Sequence, residues 1–513
     1  MDALVDENVL LLGHLKQLKV QILTKNRTMS VEDKGVVIKE ASGRDRRSRR
    51  DRRSRRAELP TLAAQKYSML KFKNFQWPTF LCLLVSAGFL LLFFVHQVDL
   101  TIADLGRHLK NGEIFLTELR EYGLGKISNY PILRENYYSF SEPTFTVLNH
   151  HWLSGVIFYL IFSAVDFVGL HLFIIALEMA ALILMFLVAR REAGPGAALV
   201  VALLVIPLIG DRREIRPEAF SYLFVAIFFY LLWSYRHRKV SVLWLWALPV
   251  LQIFWVNSHI YFVFGPALVG LFWLQSLVEY REHWERFEIL SYILGATIFA
   301  CLVNPFGFQG LLEPLIIFKN YNLSVLENQP LWVLDKVHFT ANPNLLLIKL
   351  VSAFWLISYI WSLVLARRKF SLVYLILGPV MVAVGWLAWR NFAIFGFLIL
   401  PAIAYQSKII HHHYESKKSG GVFSYNFMLG VAIIVAVLIV AVLQGDRLSK
   451  LQPIRGLGPM PGNSASAEFF RVQKLNGPIF NNFDIGGYLI YYLFPQEKVF
   501  VDNRPEAYAN NFL

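Results

Sequence analysis

The chain has 513 residues, of which 56% are hydrophobic and only 17% are charged, whereas a soluble domain carries about 25% charged residues. This composition excludes an ordinary soluble protein and indicates a membrane protein with many spans. The formal net charge is +14, and the two cysteines, Cys82 and Cys301, both fall in apolar stretches, which excludes a disulfide framework.

Residues 1–68 form a basic extension with little apolar periodicity. The run RDRRSRRDRRSRR at 44–56 supplies much of the net charge. Such a run can bind nucleic acid, but beside a membrane span it more often contacts anionic lipid on the cytoplasmic face. We therefore predict a disordered cytoplasmic segment whose partners are membrane lipids and not nucleic acid.

About eleven stretches of the chain are apolar over roughly the 20 residues that a helix needs to cross a hydrocarbon core. Together they predict an all-α polytopic membrane domain over residues 69–443. The stretches lie at 77–97, 168–190, 196–211, 218–235, 241–257, 260–279, 287–303, 345–365, 371–388, 390–406 and 423–443.

Loop charge decides whether a shorter apolar stretch, residues 152–166, also crosses. If it does not cross and the N-terminus is cytoplasmic, the inside loops hold 13 Lys and Arg residues and the short outside loops hold four. If it crosses, every later loop changes side, against the positive-inside rule. We therefore predict an interfacial helix at 152–166. The inside set is Arg190, Arg191, Arg236, Arg238, Lys239, Arg281, Arg286, Arg367, Arg368, Lys369, Lys408, Lys417 and Lys418, and the outside set is Arg212, Arg213, Arg216 and Arg390.

This orientation places three long segments outside the cell membrane: the loops 98–167 and 304–344, and the tail 444–513. Within the tail, residues 478–482 and 498–502 have strand-like patterns, and Gly486-Gly487 between them indicates a turn or a helix entry. We therefore predict a small extracytoplasmic α/β unit. Its abrupt end, soon after the second strand pattern, suggests a truncated chain.

The first outside loop opens with DLGRHLKNGE at 104–113. A short helix there places Asp104, Arg107 and His108 on one side, because residues three and four apart are neighbours on a helix. A carboxylate beside cations can accept a proton from a hydroxyl while the cations hold a phosphate. Alternatively, Asp104 only caps the helix. The sequence leaves both interpretations open.

A second polar loop, DRREIRPE at 211–218, carries three arginines on the predicted outside, against the general charge bias. Guanidinium groups match phosphate oxygens in a bidentate way, so Arg212, Arg213 and Arg216 are candidate phosphate ligands. Equally, they could pair with the three acidic residues of the same loop. Arg390, at the outer end of a later span, either lines the same cavity or ties helix ends together.

The order of these features resembles the GT-C superfamily of polyprenyl-phosphate-dependent glycosyltransferases, which includes protein O-mannosyltransferases and the aminoarabinose transferases of lipid A. The likeness covers about residues 75–508 and is closest to uncharacterised bacterial members. Its motifs are DLGRHLKNGEIF at 104–115, HHWLSGVIFYL at 150–160, EIRPEAFSYLF at 214–224, WVNSHIYFVFGP at 255–266, NPFG at 304–307 and FDIGGYLIYYLFPQEKVFVDNRPEAY at 483–508.

The resemblance implies that Asp104 is the counterpart of the catalytic carboxylate in the first outside loop. It also implies that Glu218 occupies the second acidic position of the superfamily. The sequence has Arg-Pro-Glu there, where relatives often have an Asp-Pro pair, so the role of Glu218 departs from the pattern. The large soluble C-terminal domain of the superfamily has no counterpart in the 70-residue tail.

These observations predict a membrane glycosyltransferase that takes a sugar from a polyprenyl-phosphate carrier on the outer face of the cytoplasmic membrane. Its acceptor is a glycan, a lipid or a protein. Asp104 would be the base, and arginines at 212–216, with Arg107 and His108 or Arg390, would hold the phosphate. No cofactor is predicted, and a divalent metal requirement stays open. The alternatives are a non-catalytic transporter of lipid-linked glycans and an inactive scaffold with the same fold.

The predicted topology can be tested by labelling single cysteines at positions 241 and 464 in a background without Cys82 and Cys301. A membrane-impermeant thiol reagent on intact cells should label Ser464→Cys and leave Ser241→Cys unlabelled, because the loop charges place these positions on opposite sides. Labelling at 241 without labelling at 464 would contradict the orientation.

Overall fold

The computed structural model describes residues 76–317, 325–337, 342–366, 370–416, 425–509 and 512. The predicted extension 1–68 lies outside these residues. So do five of the cations in the predicted inside loops, namely Arg367, Arg368, Lys369, Lys417 and Lys418. Contacts group Phe75–Leu513 into one compact unit.

Helices dominate the described residues, and the long ones follow the apolar stretches of the sequence. They are α1 (Trp77–Phe94), α2 (Leu105–Tyr122), α3 (Pro131–Arg134), α4 (Trp152–Ala193), α5 (Pro195–Ile209), α6 (Glu218–Arg236), α7 (Ala247–Ser258), α8 (Phe264–Val278), α9 (Tyr280–Ala300), α10 (Phe308–Ile316), α11 (Leu331–Lys336), α12 (Asn344–Ala366), α13 (Leu372–Leu387), α14 (Phe392–Ser416), α15 (Tyr425–Leu451), α16 (Ala465–Val472) and α17 (Gly486–Leu493).

The predicted polytopic membrane protein is confirmed by these helices. Eight helical segments within the described residues are long and apolar enough to cross a membrane. Two shorter apolar segments, Val242–Ser258 and Leu372–Leu387, and the helix α9 account for the remaining predicted stretches. Each of the eleven stretches therefore coincides with a helix.

The long helix α4 is broken where the sequence predicted the end of an interfacial helix. Val165 and Asp166 leave the helical conformation, and Asp166 has a φ of 60°. With its ψ of −172°, Asp166 has a backbone conformation that is nearly confined to glycine, and its Oδ1 accepts a hydrogen bond from the N–H of Phe167 at 2.7 Å. Residues 152–164 are thus a separate helical piece from the span that follows, while their position along the membrane interface stays a prediction.

A close glycine contact sets how α2 lies on α4. A Cβ atom at Gly112 would stand 2.2 Å from the carbonyl oxygen of Gly155, and one at Gly155 would stand 2.9 Å from that of His108. The two backbones therefore touch, and α2 packs along the first part of α4. This contact fixes the position of α2, and with it the residues at its N-terminus.

The centre of the bundle is the first half of α14. From Phe392 to Ala404 every residue is apolar, glycine or proline, and every one is buried. A helix that is apolar all round is expected in the interior. It is enclosed by α4, α5, α12 and α13.

The strands predicted for the tail are absent from the described residues. One isolated bridge, between Ile479 and Val499, joins residues 478–482 to residues 498–502. A second isolated bridge joins Val499 to Ser139. The side chain of Asn481 replaces further ladder bonds, because its amide donates to the carbonyl of Val501 and its oxygen accepts from the N–H of Phe500. The helical part of the tail prediction holds, since α16 and α17 form there.

We expect Gly112→Ala to lower the stability of the protein by about 1–3 kcal/mol, because overpacking forces the α2 and α4 backbones apart. Thermal unfolding of the purified protein in detergent measures the change. Gly88→Ala is the matched control, since a Cβ there meets nothing within 4 Å, and it should leave the melting temperature unchanged or slightly raised. Equal melting temperatures for the two variants would contradict the packing argument.

Candidate active site

Four of the eight predicted site residues, Asp104, Arg107, Arg216 and Arg390, line one cavity of about 530 Å³, and His108, Arg212, Arg213 and Glu218 do not. The cavity lies at the end of the bundle where α1 ends and α6 begins, which we call the cavity end. The lining residues are Asp104, Arg107, His150, His151, Arg216, His259, Glu327, Asn328, Trp389, Arg390, Asp484, Asn503 and Glu506, together with the apolar Ile102, Ile260, Ile317, Val325, Leu326, Phe483 and Pro505.

Asp104 stands at the N-terminus of α2, but its side chain makes no capping hydrogen bond. Its Oδ1 instead accepts a hydrogen bond from the side-chain amide of Asn503, and its Oδ2 lies 3.9 Å from Nη1 of Arg216. Burial raises the pKa of the Asp104 carboxyl, and the charges of Arg216 and Arg107 act against this rise. Asp104 is therefore directed at the cavity and not at its own helix.

Asn503, from the tail, forms hydrogen bonds with both Asp104 and Arg107 of the first loop. Its amide nitrogen donates to Asp104, and its oxygen accepts from Nε of Arg107 at 3.1 Å. The tail reaches this place because Gly106 of α2 lies directly against Gly487 of α17, where a Cβ would stand 2.6 Å from the Gly487 carbonyl oxygen. The sequence motif FVDNRPEAY contained this asparagine, but no spacing rule linked it to Asp104.

The buried carboxylate of Glu218 is held by two guanidinium groups. Arg212 binds it in a bidentate way, with distances of 3.0 Å from Nε to Oε2 and 2.8 Å from Nη2 to Oε1. Arg390 donates to the same Oε1 at 3.0 Å. Glu218 does not line the cavity. Its geometry is that of a fixed counter-charge behind the cavity wall.

Glu327 is the counter-charge that Arg212 and Arg216 share. Its Oε2 accepts from Nη1 of Arg212 at 2.5 Å, and both of its oxygens accept from Nη1 of Arg216, at 3.2 and 3.1 Å. Arg216 also forms an ion pair with Glu214 at 2.7 Å. Arg212 and Arg216 are thus paired with carboxylates, as one of the two interpretations expected, and one of these partners, Glu327, comes from a distant loop.

Two of these arginines keep donor atoms that no described residue accepts. The Nε atoms of Arg216 and Arg390 are buried and without a hydrogen-bond partner among the described residues. Both side chains line the cavity, beside Arg107. Three guanidinium groups therefore line one space, where they can donate charge-assisted hydrogen bonds to an anionic ligand.

The histidines near the cavity are neutral at pH 7. Burial lowers the pKa of His259 to about 3 and that of His150 to about 4, and it lowers the pKa of His108 well below its usual range. His108 lies behind the wall, with its ring 5.7 Å from that of His151. It therefore offers no positive charge to a phosphate in this geometry.

Arg213 is the remaining candidate, and it does not line the cavity. Burial lowers its pKa, and the neighbouring charge of Arg447 lowers it further. Asp211, beside it, binds elsewhere: it accepts from Asn344 at 2.8 Å and forms an ion pair with Arg447 at 2.9 Å. Within the described residues no three His, Cys, Asp or Glu side chains are grouped as metal ligands.

No protein-family model and no curated protein matches this chain by sequence. Among solved structures it is similar to the oligosaccharyltransferase of Archaeoglobus fulgidus tethered to an acceptor peptide, with a TM-score of 0.52 and 12% identity. That match covers 84% of this chain and 64% of the oligosaccharyltransferase, so the chain spans less than two thirds of that protein's length.

A second similar structure is ArnT from Cupriavidus metallidurans bound to undecaprenyl phosphate, with 14% identity over 82% of this chain and 85% of that one. Its TM-score of 0.43 is too low to support a common fold by itself. The match to the oligosaccharyltransferase identifies the architecture alone. The chain is a multi-pass helical membrane protein with the GT-C fold, as the sequence motifs predicted.

We expect Glu327→Gln to destabilise the protein by about 3 kcal/mol at pH 7, because it leaves two buried guanidinium groups without their shared counter-charge. Burial opposes ionisation of Glu327, but Arg212 and Arg216 outweigh it and hold its pKa well below the usual range. A carboxyl with a lowered folded-state pKa stabilises above its unfolded pKa of about 4.3, and this contribution is lost as the pH falls through the folded value.

Thermal unfolding in detergent at pH 7 and pH 3 tests this expectation. The difference between parent and Glu327→Gln should be large at pH 7 and should shrink once the pH falls below about 4. Asp446→Asn is the matched control, because the ion pair of Asp446 with Lys450 has side chains that are 78% and 74% accessible and an exposed pair contributes only about 0–1 kcal/mol. Equal effects of the two substitutions would contradict the buried network.

Proposed function

We propose that this protein is a glycosyltransferase that moves a sugar from a polyprenyl-phosphate carrier to an acceptor hydroxyl, on the outer face of the cytoplasmic membrane. One observation carries the proposal: the carboxylate of Asp104 opens into the same cavity as the guanidinium groups of Arg107, Arg216 and Arg390. Transfer from a phosphate-linked sugar needs a base and cations in this relation, and the GT-C fold agrees with such a reaction.

The proposed reaction has one base and no general acid. The acceptor oxygen attacks the anomeric carbon while its proton passes to Asp104. The bond between that carbon and the phosphate oxygen breaks, and its electron pair stays on the polyprenyl phosphate. Arg216 and Arg390, which line the cavity, stabilise the extra negative charge through their guanidinium groups. Because phosphate is a good leaving group, it needs no proton donor.

The surroundings of Asp104 suit a base. The raised pKa of its carboxyl makes the carboxylate a stronger proton acceptor than an exposed aspartate. The hydrogen bond from Asn503 fixes one oxygen, and the other remains directed toward Arg216. Ile102, Leu326 and Val325 supply an apolar wall of the same cavity, which suits the prenyl part of a lipid carrier.

The alternative, a transporter of lipid-linked glycans, is less consistent with this geometry. In secondary transporters the substrate site lies near the middle of the bilayer, between helix repeats. Here the cavity is built from residues at helix ends and from connecting segments, including 102–107, 325–328 and 389–390. The tail also contributes to its wall. We therefore favour transfer of the sugar over transport of the carrier.

We expect Asp104→Asn to reduce sugar transfer by about 10²–10⁴-fold while leaving carrier binding nearly unchanged, because it removes the base and keeps the side-chain size. Arg216→Ala should instead weaken binding of the carrier, because it removes a charge-assisted contact to phosphate. Both properties can be measured with a polyprenyl-phosphate sugar donor and the protein reconstituted in membranes.

Asp99→Asn is the matched control for Asp104→Asn. Asp99 lies on the same connecting segment, but its carboxylate accepts hydrogen bonds from Thr101, at 2.9 and 2.7 Å, and is absent from the cavity. This variant should transfer sugar at the parental rate. Transfer by Asp104→Asn at that same rate would exclude the proposed mechanism.

A further inference from the structure

A second, smaller cavity lies at the opposite end of the bundle, where α4 and α6 end. Its volume is about 370 Å³, and we call it the basic cavity because four of its lining residues are Lys or Arg. It shares no lining residue with the candidate active site. The lining residues are Arg190, Arg191, Glu192, Trp233, His237, Lys239 and Lys408.

The single carboxylate of the basic cavity, that of Glu192, already accepts hydrogen bonds on both of its oxygens. Glu192 is only 6% exposed. Its Oε1 accepts from Nε1 of Trp233 at 2.6 Å and from the hydroxyl of Tyr374 at 3.2 Å, and its Oε2 accepts from Nζ of Lys408 at 3.0 Å. Glu192 therefore fixes the floor of the cavity and neutralises Lys408, and it has little capacity left for the other cations.

The other three Lys and Arg residues of the basic cavity have no acidic partner within the part of the chain that the structure describes. None of Arg190, Arg191 and Lys239 has a carboxylate oxygen within 4.0 Å among the residues that the structure describes. The guanidinium group of Arg191 lies over the rings of Tyr230 and Trp233, whose centres are 5.7 Å away.

The helix dipole explains part of this arrangement. Arg190 and Arg191 lie in the last turn of α4, where cations are favourable. The dipole does not explain why Lys239, from the segment after α6, and Lys408, from α14, converge on the same 370 Å³ space. At the cavity end Arg212, Arg216 and Arg390 have carboxylate partners, whereas Arg190, Arg191 and Lys239 at this end have none among the described residues.

We propose that the basic cavity is a binding site for a phosphate group, carried either by the headgroup of an anionic phospholipid or by a soluble phosphate compound. Two guanidinium groups and an ammonium group suit phosphate oxygens, because guanidinium donates two parallel hydrogen bonds. Basic pockets between membrane helices are known places for anionic headgroups. The loop charges predict that this end faces the cytoplasm.

The test compares two double variants of the full-length protein. Arg190→Gln with Lys239→Gln removes two cations of the basic cavity and leaves Glu192 and Lys408 intact. Arg238→Gln with Arg281→Gln removes two exposed cations that do not line the cavity. Native mass spectrometry in detergent measures binding of dioleoyl phosphatidylglycerol, with dioleoyl phosphatidylcholine as the neutral lipid. Inorganic phosphate, added as a competitor, is the soluble arm.

We expect phosphatidylglycerol to bind the parent more tightly than phosphatidylcholine does. The basic-cavity variant should lose at least tenfold in that affinity, and the control should change less than twofold. If inorganic phosphate at millimolar concentration displaces the lipid from the parent, the site takes soluble phosphate as well; if it does not, the lipid headgroup is the ligand. If the double variant lacks a cooperative unfolding transition, Lys239→Gln alone should lose about fivefold.

Arg216→Ala locates the bound phosphate, because Arg216 belongs to the cavity end. Its affinity for phosphatidylglycerol should equal that of the parent. The proposal is overturned if the basic-cavity variant and its control bind phosphatidylglycerol and phosphate equally well. It is also overturned if Arg216→Ala loses the binding and the basic-cavity variant keeps it.

Discussion

The cost of burying charge organises the cavity end of this protein. Arg212 and Glu218 are almost fully enclosed, with side chains 8% and 4% accessible, and neither charge could stay there without the other. Glu218 has room for a second guanidinium, which Arg390 supplies, and Arg212 has a free Nη1, which Glu327 takes. Each pairing draws in another segment, so α6, the loop before α11 and the start of α14 are held together.

The same network leaves Arg216 in a useful position. Glu327 and Glu214 neutralise it, yet its Nε remains free and it reaches within 3.9 Å of Asp104. Asp104 is placed from the other side by the glycine contact between α2 and α4 and by Asn503 of the tail. Asp104 and the two cations Arg216 and Arg390 thus lie on separate segments of the chain that meet at the cavity. This separation explains why one substitution can affect proton transfer and another can affect carrier binding.

The sequence predicted the helices well because a long apolar run in a membrane protein has few alternatives to a helix. It failed for the strands of the tail, where the alternation at 498–502 is satisfied by the side chain of Asn481 and not by a neighbouring strand. Within the site it identified Asp104, Arg107, Arg216 and Arg390, which all line the cavity. Glu327 and Asn503 could not be predicted, because their partners are more than 100 residues away in the chain and no local pattern records such a contact.

The pairing of charges also explains an exception in the sequence. Arg212, Arg216 and Arg390 opposed the loop charge bias, yet each is bound to Glu218 or Glu327 in the folded protein. A buried carboxylate needs a cationic partner, so these arginines have a structural reason to lie at this end that a count of loop charges does not consider. At the other end, Arg190, Arg191 and Lys239 have no such partners among the described residues, and their charge remains available. The two ends of the helical bundle therefore differ mainly in the number of carboxylates that accompany their cations.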